Sequence, residues 1–404
     1  MKILVVTTKS PYPLFEGRAL RSYHLIREAA EAHEVHLLSF VQNDEDLQGL
    51  EHMRSLCKVV VGEKLYFSRA RWWLLLDALR ELFSRSPLQV MKYRSRALRQ
   101  RMRQMMAEHH YDLVHLDMVH LAEYFDLCGS LPAMLMVHNV ESVILQRRAE
   151  TETSWARRLY LRYQCRKLAR FEAQACRRAS RVVAVSELDA QQLRELSGVA
   201  SITAVPNGVD TRFFSQAPGA PVRPEAPSLV FVGGFSWFPN RDAIVYFCRE
   251  ILPQIAAEVP AVSLTVIGDN TGAAKTGEPF DNPRLRLAGR VDDIRPLVAA
   301  AAVYIVPLRI GGGTRLKILD ALSMSKAIVA TPVGAEGLAV EPGRDIVLAD
   351  SPQDFARQVI RLLKNPLEAR RLGRNGRELA ERVYDWRVIG QRLRELYQET
   401  GGRG

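Results

Sequence analysis

Short runs of β-branched and aliphatic residues alternate along the chain with longer stretches in which apolar positions recur at spacings of three and four. The first pattern buries both faces of a strand and the second buries one face of a helix, so their alternation predicts parallel sheets joined by crossover helices. A first series of strands is predicted at Ile3 to Thr7, Val35 to Phe40, Val59 to Val61, Leu113 to Leu116, Ala133 to Val137, Val182 to Val185 and Ile202 to Val205. A second follows at Leu229 to Val232, Ser263 to Ile267, Leu285 to Leu287, Val303 to Val306, Ile328 to Ala330 and Ile346 to Leu348. The pattern then turns helical over Asp354 to Leu363, Leu367 to Ala380 and Asp385 to Tyr397. In the last stretch Trp386, Ile389, Leu393 and Leu396 make one face apolar, and that face must pack on something.

Between the two series lie Pro206 to Asp210 and then Pro218, Pro221, Pro224 and Pro227, a segment that cannot form a core element. A chain of 404 residues also exceeds one ordinary core at about 150 residues per domain. The expected division is an N-terminal domain over 1–205, a C-terminal domain over 206–384 and a terminal helix over 385–404 that packs back on the first. Two doubly wound α/β domains facing each other would line one cleft with the C-terminal ends of both sheets, where ligands of such sheets bind.

Composition narrows the picture. No apolar run approaches the roughly 20 residues of a membrane-spanning helix, and the first residues read as a buried strand rather than a signal peptide, so a cytoplasmic location is expected. Cys57, Cys128, Cys165, Cys176 and Cys248 show no paired spacing, which supports neither a disulfide framework nor a zinc site. No metal and no cofactor are expected. The formal net charge of +11 implies attraction to polyanions or to an anionic membrane surface. Basic residues concentrate over Lys92 to Arg103 and Arg147 to Arg181; in the second stretch they recur beside Leu159, Leu161, Tyr163, Leu168 and Phe171. That pattern suits anionic lipid headgroups on the inner face of a membrane, with a solvated helix face as the alternative. Trp72 and Trp73 beside cations extend the same expectation. No nucleic-acid motif accompanies the charge, so nucleic acid is not an expected partner.

The chemistry is densest where the strand Val303 to Val306 runs into Gly311, Gly312, Gly313 and Thr314 and then a helix bearing Arg315, Lys317 and Asp320. Such a turn leaves amides unpaired at the positive end of a helix, and two cations beside them suit a diphosphate. A loop capped by Thr314 with a surface Lys317–Asp320 pair is the competing reading.

Taken in order, Val205 to Asp210, Phe231 to Gly234, Leu287 to Asp293, the loop Gly311 to Ala321 and Ala327 to Gly334 resemble the retaining glycosyltransferases of family 4, as do Val137 to Ser142 and Arg181 to Glu187. The resemblance covers nearly the whole chain. It implies the GT-B fold of two Rossmann-like domains, a nucleoside-diphosphate sugar held mainly by the C-terminal domain, an acceptor held mainly by the N-terminal one, and transfer with retention and without metal. Arg315, Lys317 and the loop amides would stabilise the leaving diphosphate. His138 falls where the family has a histidine that contacts the donor sugar, as a positioning or proton-relaying group. Gly17 falls in the loop that faces the diphosphate, Gly234 at the first strand of the second domain, and Arg290 and Val291 in the loop that reads the base. Arg18, Arg21 and Glu141 are weaker candidates for the acceptor, with Glu141 equally suited to cap a helix.

This sequence departs from the family in two places. The signature's two glutamates correspond to Gly312 and Asp320, and the Arg and Lys that many members carry after the Phe231 strand are missing from Gly233 to Asn240. The expected function is sugar transfer to a lipid-linked or glycan acceptor in exopolysaccharide or envelope glycan synthesis, peripheral to the membrane. A non-catalytic sugar-nucleotide-binding subunit and a sugar-nucleotide epimerase are the alternatives.

Overall fold

The computed structural model describes residues 1–14, 17–65, 84, 86–215, 227–270, 280–310 and 315–402. The apolar runs form β1 (Lys2–Thr7), β2 (Glu34–Val41), β3 (Val59–Lys64), β4 (Leu113–Leu116), β5 (Ala133–Val137), β6 (Arg181–Ala184) and β7 (Ile202–Ala204), then β8 (Ser228–Val232), β9 (Ser263–Ile267), β10 (Leu285–Gly289), β11 (Val303–Val306), β12 (Ala327–Ala330) and β13 (Val347–Leu348). The helices used below are α1 (Gly17–Ala30), α2 (Asp44–Met53), α3 (Glu141–Thr151), α4 (Trp155–Arg178), α5 (Phe238–Tyr246), α6 (Leu316–Ser323), α7 (Pro352–Lys364), α8 (Pro366–Leu379) and α9 (Trp386–Gly401).

The strands make two sheets, ordered β3-β2-β1-β4-β5-β6-β7 and β10-β9-β8-β11-β12-β13. All their pairings are parallel. Each therefore starts in its middle, winds outward and crosses back beside its first strand, the order of a Rossmann-like fold. Strands covered by helices on both faces need no polar face, which is why β1, β4, β5, β11 and β12 are almost wholly buried.

The chain divides into two compact units, Met1–Pro206 with Ile389–Gly404, and Asn207–Val388. In the first unit, Ile389, Leu393 and Leu396 of α9 are buried. A Cβ on Gly390 would stand 2.5 Å from the Cβ of Glu28, so glycine lets α9 lie close against α1. Arg394 then donates to the Glu28 carbonyl at 3.0 Å. In the second unit, Asp385 accepts from the Thr211 hydroxyl and, at 2.8 Å, from the Arg387 amide, capping the chain as it enters α9.

Candidate functional site

In the first unit the strand order reverses between β1 and β4, and a pocket opens beyond their C-terminal ends. It is open to solvent and is lined by Thr7, Thr8, Arg18, Ser22, Asp117 and His138 among others. Asp117 follows β4 and His138 follows β5, so parallel pairing of those strands brings the two together. The His138 Nε2–H donates to Asp117 Oδ1 at 2.8 Å, and the Ser22 hydroxyl donates to Asp117 Oδ2. Burial alone would raise the Asp117 carboxyl, but the hydrogen bond and charge of His138, with His115 close by, outweigh it and hold the group well below the usual carboxylate range. Asp117 was not singled out from the sequence; a lone carboxylate ending an apolar strand was the available signal.

The backbone that carries His138 is tied down by a second buried carboxylate. Glu172 of α4 accepts from the amides of Glu141 at 2.7 Å and Ser142 at 3.3 Å, occupying the N-terminus of α3. Burial pushes its carboxyl up to about 7. The Glu141 side chain is raised by burial, partly offset by a hydrogen bond from Asn139 and by the Arg18 charge. Gly17 is the exposed first residue of α1.

Arg21 departs from expectation. It is 1% exposed, and its guanidinium donates to the Val205 and Pro206 carbonyls, each at 2.8 Å. Burial lowers it to about 10 despite Asp117 and Asp189. Arg21 thus clamps the end of β7 and is not presented to an acceptor.

In the second unit the equivalent reversal lies between β8 and β11. Two glycine turns meet there. A Cβ on Gly268 would lie 2.6 Å from the Gly233 carbonyl carbon, and one on Gly234 would lie 3.1 Å from the Asp269 amide nitrogen. Lys317 from the first turn of α6 enters the space above Gly233. Its Nζ donates to Asn240 Oδ1 at 2.8 Å and sits 4.2 Å over the Phe231 ring. Burial, with Arg315 adding to it and Asp320 opposing, lowers Lys317 to about 7. Burial raises Asp320 to about 7, and Lys317 only partly offsets it. Both groups are pushed toward neutrality because two partly buried charges lack enough countercharge to repay their desolvation. Asn240 thus positions a cation rather than supplying one.

Arg290 is exposed just after β10, and Val291 packs against the second unit's core. Gly311, Gly312, Gly313 and Thr314 lie outside the described residues, as do Trp72 and Trp73. Among the described residues no cluster of His, Cys, Asp or Glu is arranged to hold a metal ion, and no helix is long and apolar enough to cross a membrane.

The two basic stretches differ. Arg94 pairs with Glu123 at 2.6 Å, Arg99 with Asp126 and Arg101 with Glu63 at 3.2 Å, so half of the basic residues from Lys92 to Arg103 are matched by carboxylates of the same unit. On α4, Trp155 (78% exposed), Leu159 (63% exposed), Arg162, Arg166 and Arg170 follow one another at spacings of three and four along an exposed stripe.

Two family models match successive parts of the chain. The model for Glycosyltransferase Family 4 matches residues 17–213, and the model for Glycosyl transferases group 1 matches residues 226–365. A Klebsiella pneumoniae protein described as an uncharacterised 44.6 kDa protein in the cps region is 21% identical, over 96% of this chain and 97% of its own. The phosphatidyl-myo-inositol mannosyltransferase of Mycobacterium tuberculosis is 26% identical over 55% of this chain and 60% of its own. Among solved structures, Anabaena HepE in complex with UDP superposes with a TM-score of 0.71 at 16% identity, covering 99% of this chain and all of HepE. Sucrose-phosphate synthase from Thermosynechococcus elongatus gives 0.72 at 17% identity, with both chains fully covered. The fold is GT-B, and the matches support a glycosyltransferase of the family 4, GT-B type.

Proposed function

Proceeding from a glycosyltransferase of the family 4, GT-B type, we propose that this enzyme transfers a sugar from a nucleoside-diphosphate sugar, with retention and without metal, to a lipid-linked or glycan acceptor. The donor is assigned to the second unit and the acceptor to the first. The observation that carries the reading is Lys317, held by Asn240 over Phe231 at the end of β8. Its position offsets the cations missing from Gly233 to Asn240, because a lysine from α6 reaches the ground that a lysine after β8 would occupy.

The chemistry follows from the electrostatics. As the bond between the anomeric carbon and the diphosphate oxygen breaks, negative charge grows on the leaving group while the acceptor hydroxyl attacks from the same face. The bound diphosphate is already anionic and favours the protonated Lys317, and the further charge that gathers on the leaving oxygen strengthens that interaction toward the transition state. Arg315 is assigned the same role, and the family resemblance extends it to the amides of Gly311, Gly312, Gly313 and Thr314. Gly234, Arg290, Val291 and Asp320 contact the nucleotide and ribose, and Gly17 faces the diphosphate. His138, oriented by Asp117, positions the sugar or relays a proton, with Arg18 and Glu141 at the acceptor.

Two relatives bear on the acceptor: one is named for phosphatidyl-myo-inositol and one comes from a cps region. They support a lipid or polysaccharide acceptor, reached from a membrane surface that the α4 stripe engages from the cytoplasmic side.

Calorimetry of uridine- and guanosine-diphosphate sugars in metal-free buffer, followed by a donor-hydrolysis assay, tests the reading. One donor class is expected to bind and to hydrolyse slowly. Arg315→Ala and Lys317→Ala are each expected to lower turnover by about a hundredfold to a thousandfold, the usual loss for a donor aimed at developing charge. Unchanged turnover in both would refute the assignment. Binding without hydrolysis or transfer would identify a non-catalytic subunit.

A further inference from the structure

A line of buried polar groups joins the C-terminal helix to the pocket of the first unit. Tyr397 on α9 and His115 on β4 are both buried, and the Tyr397 hydroxyl lies 2.5 Å from His115 Nδ1. The other ring nitrogen, His115 Nε2, faces Asp117 Oδ1 at 3.6 Å, and that same oxygen takes the hydrogen bond from His138 Nε2 at 2.8 Å. The ring of Tyr397 meets the edge of His33 at 5.8 Å, which fixes its plane independently of the hydroxyl.

Elementary bonding rules place the protons. An ionised Asp117 only accepts, so a lone pair on His115 Nε2 would face a negative oxygen. The favoured tautomer therefore carries its hydrogen on Nε2, which leaves Nδ1 to accept from the Tyr397 hydroxyl. Burial and the nearby Asp117 charge raise the Tyr397 phenol well above its ordinary range, so it keeps the proton it must donate. The same rule at the far end puts a hydrogen on His138 Nε2 and leaves its Nδ1 as the accepting atom.

We infer that Tyr397, acting through His115 and Asp117, is a positioning residue for His138, holding the imidazole in its Nε2–H tautomer with Nδ1 free to accept from substrate. The inference rests on the reading of His138 as the polar group of the first unit that meets substrate. Removing the Tyr397 hydroxyl takes away the donor to Nδ1, so only the Asp117 charge then favours the Nε2–H tautomer of His115 and the preference weakens. Wherever the hydrogen moves to Nδ1, a lone pair faces Asp117 across 3.6 Å, and the carboxylate bonded to His138 and Ser22 loses the attraction of the His115 N–H.

The test uses the full chain labelled with ¹⁵N in histidine. Two-bond proton–nitrogen correlation spectra at pH 8 report the tautomer of each ring, with His115 and His138 assigned from His115→Gln and His138→Gln. Both rings are expected as Nε2–H in the parent protein. Tyr397→Phe keeps the ring packed on His33 and is expected to mix the His115 tautomers, to shift the His138 ring nitrogens and to lower kcat on the order of tenfold with KM little changed, a modest part of what a positioned acid–base group contributes. His115→Phe cuts the line at a second point and should move His138 in the same direction. Spectra in which both variants fold and leave the His138 nitrogens at their parent positions would overturn the inference. A His138→Gln enzyme with parent turnover, alongside a persistent spectral response of His138 to Tyr397→Phe, would instead reject the substrate role of His138 and leave the relay standing.

Discussion

At Gly233 one added carbon decides whether the second unit can seat its cation. A Cβ there would lie 2.7 Å from both the Lys317 ammonium and the Asn240 amide carbon. Lys317 and Asn240 would both have to give way. Because Gly233 also has a φ of 159°, where a side chain is itself strained, Gly233→Ala is expected to lower the melting temperature and to weaken donor binding of the folded protein about tenfold, or 1.4 kcal/mol, measured by calorimetry. Parent affinity in the variant would show that the Lys317 position is irrelevant to the donor. The glycines and Lys317 were legible as chemistry because glycine runs after strands have few other uses. That Lys317 bonds Asn240 was not legible, since 77 residues separate them and only the β8–β11 pairing brings their helices to one point. The same holds for Asp117 and His138, which stand 21 residues apart on neighbouring strands.

Element boundaries followed the hydrophobic pattern closely, and helix ends were set by side chains close in sequence. Asn43, Ser95, Ser186 and Ser351 each accept from the amide three residues on. Asp385 adds a tertiary partner to such a cap. Its burial would raise the carboxyl, but hydrogen bonds from Arg387 and Thr211 lower it to about 2. A folded value below the unfolded one means the contribution is fully present above about pH 4 and is lost as pH falls through 2. Asp385→Asn is expected to reduce stability at neutral pH by about 2 kcal/mol, the worth of hydrogen bonds to a charged group. Urea unfolding of parent and variant should converge between pH 4 and pH 2. A gap independent of pH would show that shape rather than charge matters at this cap.

At the scale of the whole molecule, the net charge of +11 does not spread evenly over the basic stretches. Arg94, Arg99 and Arg101 pair with carboxylates of the first unit, whereas Arg162, Arg166 and Arg170 stand exposed on α4. Vesicle flotation should show binding that requires anionic lipid and falls with salt. Replacing those three arginines by glutamine should weaken binding on the order of a hundredfold, at about 1 kcal/mol per cation near an anionic surface. Binding insensitive to salt and to the variant would exclude this face as the docking surface.

By itself the sequence determined the alternation of strands and helices, the two sheet series and the residue types at the strand ends, because hydrophobic periodicity and glycine placement are local properties of the chain. It also marked the apolar face of α9 without indicating what covers it. Tertiary structure alone decided that Arg21 is a buried clamp, that Glu172 holds the start of α3, and that Tyr397 reaches His115. These roles depend on burial and on partners distant in sequence. Burial raises the cost of an unmatched charge, and the fold determines which distant partner meets it.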